Sequence, residues 1–285
     1  MRYTLRIILA KDRGFCFGVK QAIDLVLQTL KDEAGPVYTI GPLIHNPQVV
    51  ESLKGKGLRM AINLSGLKQG VLVIRSHGMA KETIEEARQR GLRIVNATCP
   101  YVTKAQKLAS SLEREGYKVV IIGDKDHPEV KSMTSPQRMV IQEPGDIDRI
   151  PRIKRMGIVS QTTQNPENFQ LMAERLAAKA SELKIYNTIC QATRARQAST
   201  RDLARRSDLM IVVGGYNSAN TACLAQICEA VGVQTHHIEK AKEIDLRWLS
   251  DKERIGISGG TSTPKESFQE VREWLKKAAT KCSRT

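Results

Sequence analysis

Three segments of the 285-residue chain repeat one pattern, and this repeat constrains the fold more than any other feature of the sequence. In each segment a short aliphatic stretch precedes a cysteine, a stretch of helical spacing follows it, and a second aliphatic stretch ends in glycine. The cysteines are Cys16, Cys99 and Cys190, and the glycines are Gly41, Gly123 and Gly214. The cysteine-to-glycine distances of 25, 24 and 24 residues are too similar to be coincidental, so the chain contains three structural repeats.

Strands that alternate with helices are typical of an α/β fold with open, mostly parallel sheets. We therefore predict three similar α/β domains in a pseudo-threefold arrangement, formed by residues 1–97, 98–188 and 189–285. In such sheets ligands bind beyond the carboxyl ends of the strands, and nearly every unusual polar residue of this sequence follows a predicted strand. The repeat therefore predicts that the three cysteines converge at a shared centre.

Two polar clusters in each repeat lie just beyond predicted strands. The first clusters contain His45, His127 with Glu129, and Ser218 with Asn220. The second clusters contain Ser76 with His77, Thr162 with Thr163, and Ser262. Helices are predicted to begin after the second clusters, near Lys81, near Pro166 and after Pro264. Such donors beside helix N-termini suit a diphosphate group, although a structural histidine or a serine helix cap is the alternative role for each of them.

Three converging thiolates suit a 4Fe–4S cluster in which one iron lacks a protein ligand and can bind a substrate oxygen. Zinc with water as its fourth ligand, or three structural thiols, remain alternatives on spacing alone. No two cysteines form a C-x-x-C pair, which argues against a finger or ribbon zinc site. Cys223 and Cys228 match no repeated position and are predicted to be structural residues of one helix, and Cys282 to be incidental.

Glu129 directly follows His127-Pro128 and is the candidate proton donor. A carboxyl group surrounded by apolar and cluster atoms is desolvated, which raises its pKa and suits it to deliver a proton. The alternative is an exposed glutamate at the start of a helix.

The order of these motifs resembles the 4-hydroxy-3-methylbut-2-enyl diphosphate reductase family, which catalyses the last step of the non-mevalonate isoprenoid pathway. The matching segments extend over nearly the whole chain, so the resemblance is specific. They are residues 14–19 (GFCFGV), 41–46 (GPLIHN), 76–78 (SHG), 97–100 (ATCP), 127–130 (HPEV), 160–163 (SQTT), 188–193 (TICQAT), 217–221 (NSANT) and 260–264 (GTSTP).

The resemblance implies a trefoil-like fold of three α/β domains around one 4Fe–4S cluster, which Cys16, Cys99 and Cys190 would hold. Two electrons and two protons would remove the hydroxyl of an allylic diphosphate as water and give isopentenyl or dimethylallyl diphosphate. The implied catalytic residues are Glu129, Thr162, Thr163 and His127. The implied diphosphate-binding residues are His45, His77, His127, Ser218, Asn220 and Ser262.

The chain has 45 Lys and Arg against 30 Asp and Glu, a formal net charge of +15, which favours anionic partners. Nucleic-acid binding is a weak alternative, because aromatic residues make up only 4% of the chain and the basic residues are spread over predicted helices. Arg194, Arg201 and Arg205 share one predicted helical face, where we expect an acidic electron donor such as ferredoxin or flavodoxin to dock.

A cluster hydro-lyase resembling quinolinate synthase is the nearest alternative enzyme, since it uses the same three-cysteine architecture without net reduction. Glu129 and the ordered motifs favour the reductase. The sequence contains no apolar run long enough to span a bilayer, and the apolar residues 7–10 are too few for a signal-peptide core. We therefore expect a cytoplasmic protein that binds neither membranes nor nucleic acid.

Overall fold

Strands and helices alternate along the chain in the computed structural model, which describes residues 5–282 and the side chains of residues 5–279. In chain order the strands are β1 (Arg6–Leu9), β2 (Val37–Ile40), β3 (Leu58–Ala61), β4 (Val71–Ile74), β5 (Arg93–Asn96), β6 (Lys118–Ile122), β7 (Met139–Ile141), β8 (Ile153–Ser160), β9 (Ala180–Ile185), β10 (Leu209–Val213), β11 (Gln234–Ile238) and β12 (Arg254–Gly259). The helices are α1 (Phe17–Asp32), α2 (Pro47–Gly55), α3 (Lys81–Gln89), α4 (Pro100–Arg114), α5 (Pro128–Met133), α6 (Pro166–Ala177), α7 (Gln191–Ala204), α8 (Ala219–Val231) and α9 (Lys265–Cys282). Short 3-10 turns lie at Pro144–Arg149, Ala241–Glu243 and Leu246–Leu249.

These strands form three sheets of four, and every pair of neighbouring strands is parallel. The N-terminal sheet has the order β3-β2-β4-β5, the middle sheet β7-β6-β8-β9 and the C-terminal sheet β11-β10-β12-β1. The three orders are the same when β1 is taken as the fourth strand of the C-terminal sheet. The predicted α/β class with three similar parallel sheets is confirmed.

The strand that precedes Cys16 does not belong to the same sheet as the residues that follow it. β1 pairs with β12, from Arg6 opposite Arg254 to Leu9 opposite Ile257. The first predicted domain therefore gives its first strand to the sheet of the C-terminal residues. Hydrophobic periodicity identified β1 as a strand, but it carries no information about which strand lies beside it.

The described part of the chain divides into two compact units. One unit takes in the described residues up to Cys16, His45–Pro47 and the described residues from Gln191 onward, and the other takes in Phe17–Ile44 and Gln48–Cys190. The predicted domain boundaries at residues 97 and 188, and the pseudo-threefold arrangement of the domains, stay predictions.

Helices cover both faces of the middle sheet. On one face Ile158 of β8 packs in a cluster with Met172 and Leu176 of α6. On the other face Ile121 of β6 packs in a cluster with Leu112 of α4. Each fully buried side chain of this size stabilises the folded state by roughly 1.5–3 kcal/mol. The C-terminal sheet is built the same way, with separate clusters on its two faces.

This topology places the loops that follow the first and third strands at the carboxyl edge of each sheet, where ligands bind in folds of this type. In each sheet the first and third strands are neighbours. The second strand lies beside the first and the fourth beside the third, so the carboxyl ends of the two central strands form the topological switch point. The polar clusters of the sequence follow these two strands, and each repeated cysteine follows the fourth strand. Helices begin at Lys81, Pro166 and Lys265, as predicted. No helix within residues 5–282 is both long and apolar enough to cross a membrane.

Candidate active site

The three repeated cysteines are held by the same backbone hydrogen bond. In every sheet the N–H of the cysteine donates to the carbonyl oxygen of the second residue beyond the third strand. The bonds are Cys16 to Thr261 at 3.1 Å, Cys99 to Ser76 at 2.9 Å and Cys190 to Thr162 at 3.0 Å. Each cysteine also directly precedes a helix, namely α1, α4 or α7. All three cysteines therefore lie at the N-terminus of a helix, where the backbone N–H groups and the positive end of the helix dipole are located.

The surroundings of these thiols fit an inorganic cluster. All three are half-buried and none forms a disulfide. A Cβ atom added to Gly18, in the first turn of α1, would lie 2.4 Å from Sγ of Cys99. Only glycine at this position therefore leaves room for the thiol beside the helix. Cysteine sulfur is the usual protein ligand of iron–sulfur clusters, so the chemistry of these residues fits such a group.

Glu129 is buried and is hydrogen-bonded twice to one residue. It is the second residue of α5 and is 1% exposed. The N–H of Thr162 donates to Oε1 at 2.6 Å, and the hydroxyl of Thr162 donates to Oε2 at 2.8 Å. The carbonyl of the same Thr162 accepts the N–H of Cys190. Thr162 therefore connects the candidate acid directly to a candidate cluster ligand.

Burial raises the pKa of Glu129 to about 7, although the two hydrogen bonds from Thr162 act in the opposite direction. At neutral pH the carboxyl group is thus divided between its acid and its carboxylate form, and can both hold and release a proton. The structure favours the buried acid over the exposed glutamate that the sequence left as the alternative.

His127 is the N-cap residue of α5, and its side chain is held by a hydrogen bond from the first turn of that helix. Its Nδ1 accepts the N–H of Glu129 at 3.2 Å, so the neutral ring carries its proton on Nε2. The ring of His77 lies edge-on to that of His127, with 5.4 Å between the ring centroids. The two histidines, which follow the third strand of one sheet and the first strand of another, are thus brought together.

The two adjacent threonines make different contacts. Thr162 contacts Glu129, whereas the hydroxyl of Thr163 accepts from Nε2 of Gln161 at 2.8 Å. Oε1 of Gln161 accepts the N–H of Asp124, so this glutamine connects the two loops at the end of the middle sheet. Gln161 was not among the site residues predicted from the sequence. It could have been proposed as a site residue because it lies directly between the end of β8 and Thr162.

Asn220 occupies the position in the C-terminal sheet that Glu129 occupies in the middle sheet. It is 3% exposed, and its Oδ1 accepts the N–H of Thr261 at 3.0 Å. Nδ2 is buried and has no hydrogen-bond partner among residues 5–279. A buried amide without a partner is costly, so this donor is suited to an anionic ligand.

Two of the residues predicted to bind the diphosphate, Ser218 and Ser262, also make hydrogen bonds within the protein. Ser218 caps α8 and accepts the N–H of Thr221 at 3.3 Å, which leaves its own hydroxyl proton to donate. The hydroxyl of Ser262 donates to the carbonyl oxygen of His45 at 2.9 Å. Both serines are buried, at 3% and 4% exposure.

Comparison with known proteins identifies the family of this chain. The family model described as LytB protein matches residues 7–276. The chain belongs to the LytB protein family. Two curated relatives are named 4-hydroxy-3-methylbut-2-enyl diphosphate reductase. The one from Geotalea uraniireducens is 42% identical over 276 residues, which are 96% of this chain and 98% of the relative. The one from Geobacter sulfurreducens is 43% identical over 272 residues, 94% of this chain and 96% of the relative.

Solved structures agree with this assignment to the LytB family. One is described as (E)-4-hydroxy-3-methyl-but-2-enyl diphosphate reductase, the terminal enzyme of the non-mevalonate pathway. It is 40% identical, with a TM-score of 0.69 over 96% of this chain and 100% of that chain. The E-1-hydroxy-2-methyl-but-2-enyl-4-diphosphate reductase from Plasmodium falciparum is 27% identical, with a TM-score of 0.90 over 96% of this chain and 87% of that chain. The predicted family and the predicted oxidoreductase class are confirmed.

One arginine of this LytB chain differs from its neighbours. Arg194 and Arg205 are exposed and Arg201 is half-buried, with Arg205 just beyond the end of α7. Arg196 is only 4% exposed and donates to three carbonyl oxygens of other loops. Arg196 was not recognised as a buried residue from the sequence, although its offset of two residues from Arg194 places it away from the face of Arg194 and Arg201.

The remaining cysteines of the LytB chain lie away from the repeated positions. Cys228 is buried in a core cluster of the C-terminal sheet, and Cys223 packs against that cluster. Burial raises the pKa of Cys228 to about 12, which keeps its thiol protonated. Both therefore have the structural setting that was predicted. The prediction for Cys282 lies outside the described side chains.

Proposed function

We propose that this chain converts 4-hydroxy-3-methylbut-2-enyl diphosphate into isopentenyl and dimethylallyl diphosphate. The allylic alcohol takes up two electrons and two protons, the carbon–oxygen bond breaks, and the hydroxyl group leaves as water. The observation that carries this proposal is the hydrogen-bonded connection from Glu129 through Thr162 to Cys190. It joins a proton donor to a ligand of an electron-transfer group in a LytB protein.

The proposed cofactor is one 4Fe–4S cluster held by Cys16, Cys99 and Cys190. When bound, the cluster would pass electrons from an external donor to the substrate and would offer the substrate oxygen an iron that has no protein ligand. The chain contributes three thiols at helix N-termini with equivalent backbone hydrogen bonds. Gly18 makes the space that Cys99 needs.

Glu129 is the proposed proton source. Its protonated form is present at neutral pH because burial raises its pKa to about 7. The hydroxyl of Thr162 orients the carboxyl group by its bond to Oε2, and Thr163 with its partner Gln161 holds the adjacent loop. His127, whose Nδ1 is occupied by the N–H of Glu129, presents Nε2–H as a donor.

The diphosphate is proposed to bind hydrogen-bond donors at the ends of the first and third strands. The proposed donors are His45, His77, His127, Ser218, Asn220 and Ser262. The buried Nδ2 of Asn220, which has no protein partner within the described residues, supports this role most directly. Charge-assisted hydrogen bonds to an anion are about twice as strong as bonds between neutral groups.

An acidic ferredoxin or flavodoxin is the proposed electron donor, and the face of Arg194, Arg201 and Arg205 is its proposed docking surface. Glutamine at these three positions should slow turnover with the protein donor and leave viologen-driven turnover unchanged. The topologically equivalent helix α4 carries three exposed basic residues, Lys104, Lys107 and Arg114, whose replacement by glutamine is the matched control. Equal slowing by both triple variants would reject this face. The cytoplasmic location remains part of the proposal, because cysteines that hold a cluster must not be oxidised to disulfides and the cytoplasm is a reducing compartment.

The test is anaerobic turnover of the reconstituted protein with the allylic diphosphate and reduced methyl viologen. We expect two viologens to be oxidised for each isopentenyl or dimethylallyl diphosphate formed, because the reaction consumes two electrons. Loss of substrate without viologen oxidation would indicate a hydro-lyase instead. If the iron–sulfur absorbance is intact and no viologen is oxidised, the proposed function is wrong.

A further inference from the structure

The guanidinium group of Arg196 joins two loops that carry proposed site residues. Nη1 donates to the carbonyl oxygen of Gly259, the last residue of β12, at 2.8 Å and to that of Gly260 at 2.7 Å, where the loop that contains Thr261 and Ser262 begins. Nη2 donates at 2.7 Å to the carbonyl oxygen of Gly14, two residues before Cys16. One buried side chain of α7 therefore holds both the cysteine loop and the loop after β12.

The other two repeats have no such residue at this position. Arg196 is the sixth residue after Cys190, and the sixth residues after Cys16 and Cys99 are Ala22 and Ala105. Both alanines are fully buried, at 0% exposure. In these two repeats a small side chain fills the buried position on the helix that follows the cysteine. An arginine in its place, which loses water contacts on burial, requires a specific reason.

The length of the cysteine loop supplies that reason. Residues 10–15 separate β1 from Cys16, whereas only residues 97–98 separate β5 from Cys99 and residues 186–189 separate β9 from Cys190. A longer loop has more conformations and needs more contacts to hold one of them. The N–H of Asp12 also donates to Oγ of Ser199 on α7, so the same helix holds this loop at two points.

We propose that Arg196 is the positioning residue that sets Cys16 in register with the loop of Thr261 and Ser262. The inference rests on the proposed function, since Cys16 is assigned as a cluster ligand there. The planar guanidinium reaches carbonyl groups on two loops from one rigid group. A lysine ammonium is a single point, so it can satisfy only part of this set of acceptors.

The experiment compares Arg196→Met and Arg196→Lys with the unchanged chain and with Arg206→Met, which removes an exposed arginine just beyond the same helix. Anaerobically reconstituted full-length proteins are treated with iodoacetamide, and alkylation of each cysteine is followed by peptide mapping. Loss of a hydrogen bond to a charged group should accelerate alkylation of Cys16 about tenfold in the methionine variant. Cys99 and Cys190 should keep their rates, the lysine variant should be intermediate, and Arg206→Met should match the unchanged chain.

Equal acceleration at all three cysteines would report general loosening and overturn the proposal, as would an unchanged rate at Cys16. If the methionine variant does not fold, the lysine variant carries the same comparison. The iron content of the unchanged chain reports separately on the proposed function. Should that chain bind no iron, the ratio of Cys16 to Cys99 alkylation in the iron-free variants still decides the role of Arg196.

Discussion

Two loops of the molecule make the same hydrogen bond with different side chains. In the middle sheet the N–H of Thr162 donates to Oε1 of Glu129 at 2.6 Å, and in the C-terminal sheet the N–H of Thr261 donates to Oδ1 of Asn220 at 3.0 Å. Each acceptor is the seventh residue beyond the first strand of its sheet, and each donor is the second residue beyond the third. The backbone fixes the position, and the residue type decides the chemistry.

In the proposed reaction, the carboxyl group of Glu129 delivers a proton and the amide of Asn220 binds the diphosphate. Glu129 has a titratable proton and a pKa raised by burial to about 7. Asn220 has no titratable proton, but it keeps a buried N–H donor for an anion. In the N-terminal sheet the seventh residue is Pro47, which has neither function. The same position in three sheets of equal strand order is thus occupied by a carboxylic acid, an amide and a proline.

The largest expected effect on turnover comes from replacing the carboxyl group of Glu129 by an amide, the group that Asn220 carries. Glu129→Gln keeps an oxygen for the N–H of Thr162 and can donate from Nε2 to the hydroxyl, but it has no proton to deliver. We expect turnover with reduced viologen to fall by about 100- to 10,000-fold. Iron content and the dissociation constant for the diphosphate should match those of the unchanged chain. Turnover within about threefold of the unchanged chain would contradict proton delivery by Glu129.

The same substitution should change how stability depends on pH. The pKa of Glu129 is about 7 in the folded state against an ordinary 4.5, so the folded state binds the proton more tightly. Its contribution to stability is full below pH 4.5 and is lost as the pH rises to about 7, a loss of about 3 kcal/mol. Denaturant unfolding at several pH values should show this loss in the iron-free protein. Glu129→Gln should remove it, and an unchanged pH dependence in that variant would be the contrary result.

The reverse substitution replaces the amide of Asn220 by a carboxylate. Asn220→Asp keeps an acceptor for the N–H of Thr261 but replaces the Nδ2 donor by a negative oxygen. We expect the diphosphate to bind about tenfold more weakly, as measured by isothermal titration. The control is Asn63→Asp, because Asn63 is exposed and its Oδ1 likewise accepts a backbone N–H, that of Ser65. Equal effects of the two variants would mean that Asn220 has no special role.

The smallest expected effect separates the two adjacent threonines. Thr162→Val removes the hydroxyl bond to Glu129 but keeps the N–H bond, and the lost bond is one that lowers the pKa of the acid. The descending alkaline limb of the turnover profile should therefore move to higher pH, with turnover at the optimum reduced about threefold. Thr163→Val should leave that limb in place, since its hydroxyl contacts Gln161. A shift produced by Thr163→Val alone would reverse the assignment.

Most of the local structure could be predicted from the sequence. The repeat identified Cys16, Cys99 and Cys190 and the strands before them, because each motif is short and its periodicity is local. The helix that begins at Pro166 was predicted from its proline in the same way. Glu129 was a candidate because it directly follows His127-Pro128 in the loop after a predicted strand.

Long-range partners could not be predicted in this way. The carbonyl groups that Arg196 contacts are up to 182 residues away in the sequence, and no helical pattern identifies them. The pairing of β1 with β12 joins the two ends of the chain, which periodicity cannot show. The repeat grouped Glu129 with Asn220 in equivalent clusters, but it did not show that both side chains accept a backbone N–H from the loop after the third strand.

The central claim is that one backbone position delivers a proton in the middle sheet and binds the substrate in the C-terminal sheet. Its most direct test is to measure kcat and KM for Glu129→Gln and Asn220→Asp in one viologen assay at equal iron content. The account predicts that Glu129→Gln lowers kcat with KM nearly unchanged, and that Asn220→Asp raises KM with kcat nearly unchanged. The same parameter changing in both variants would contradict it.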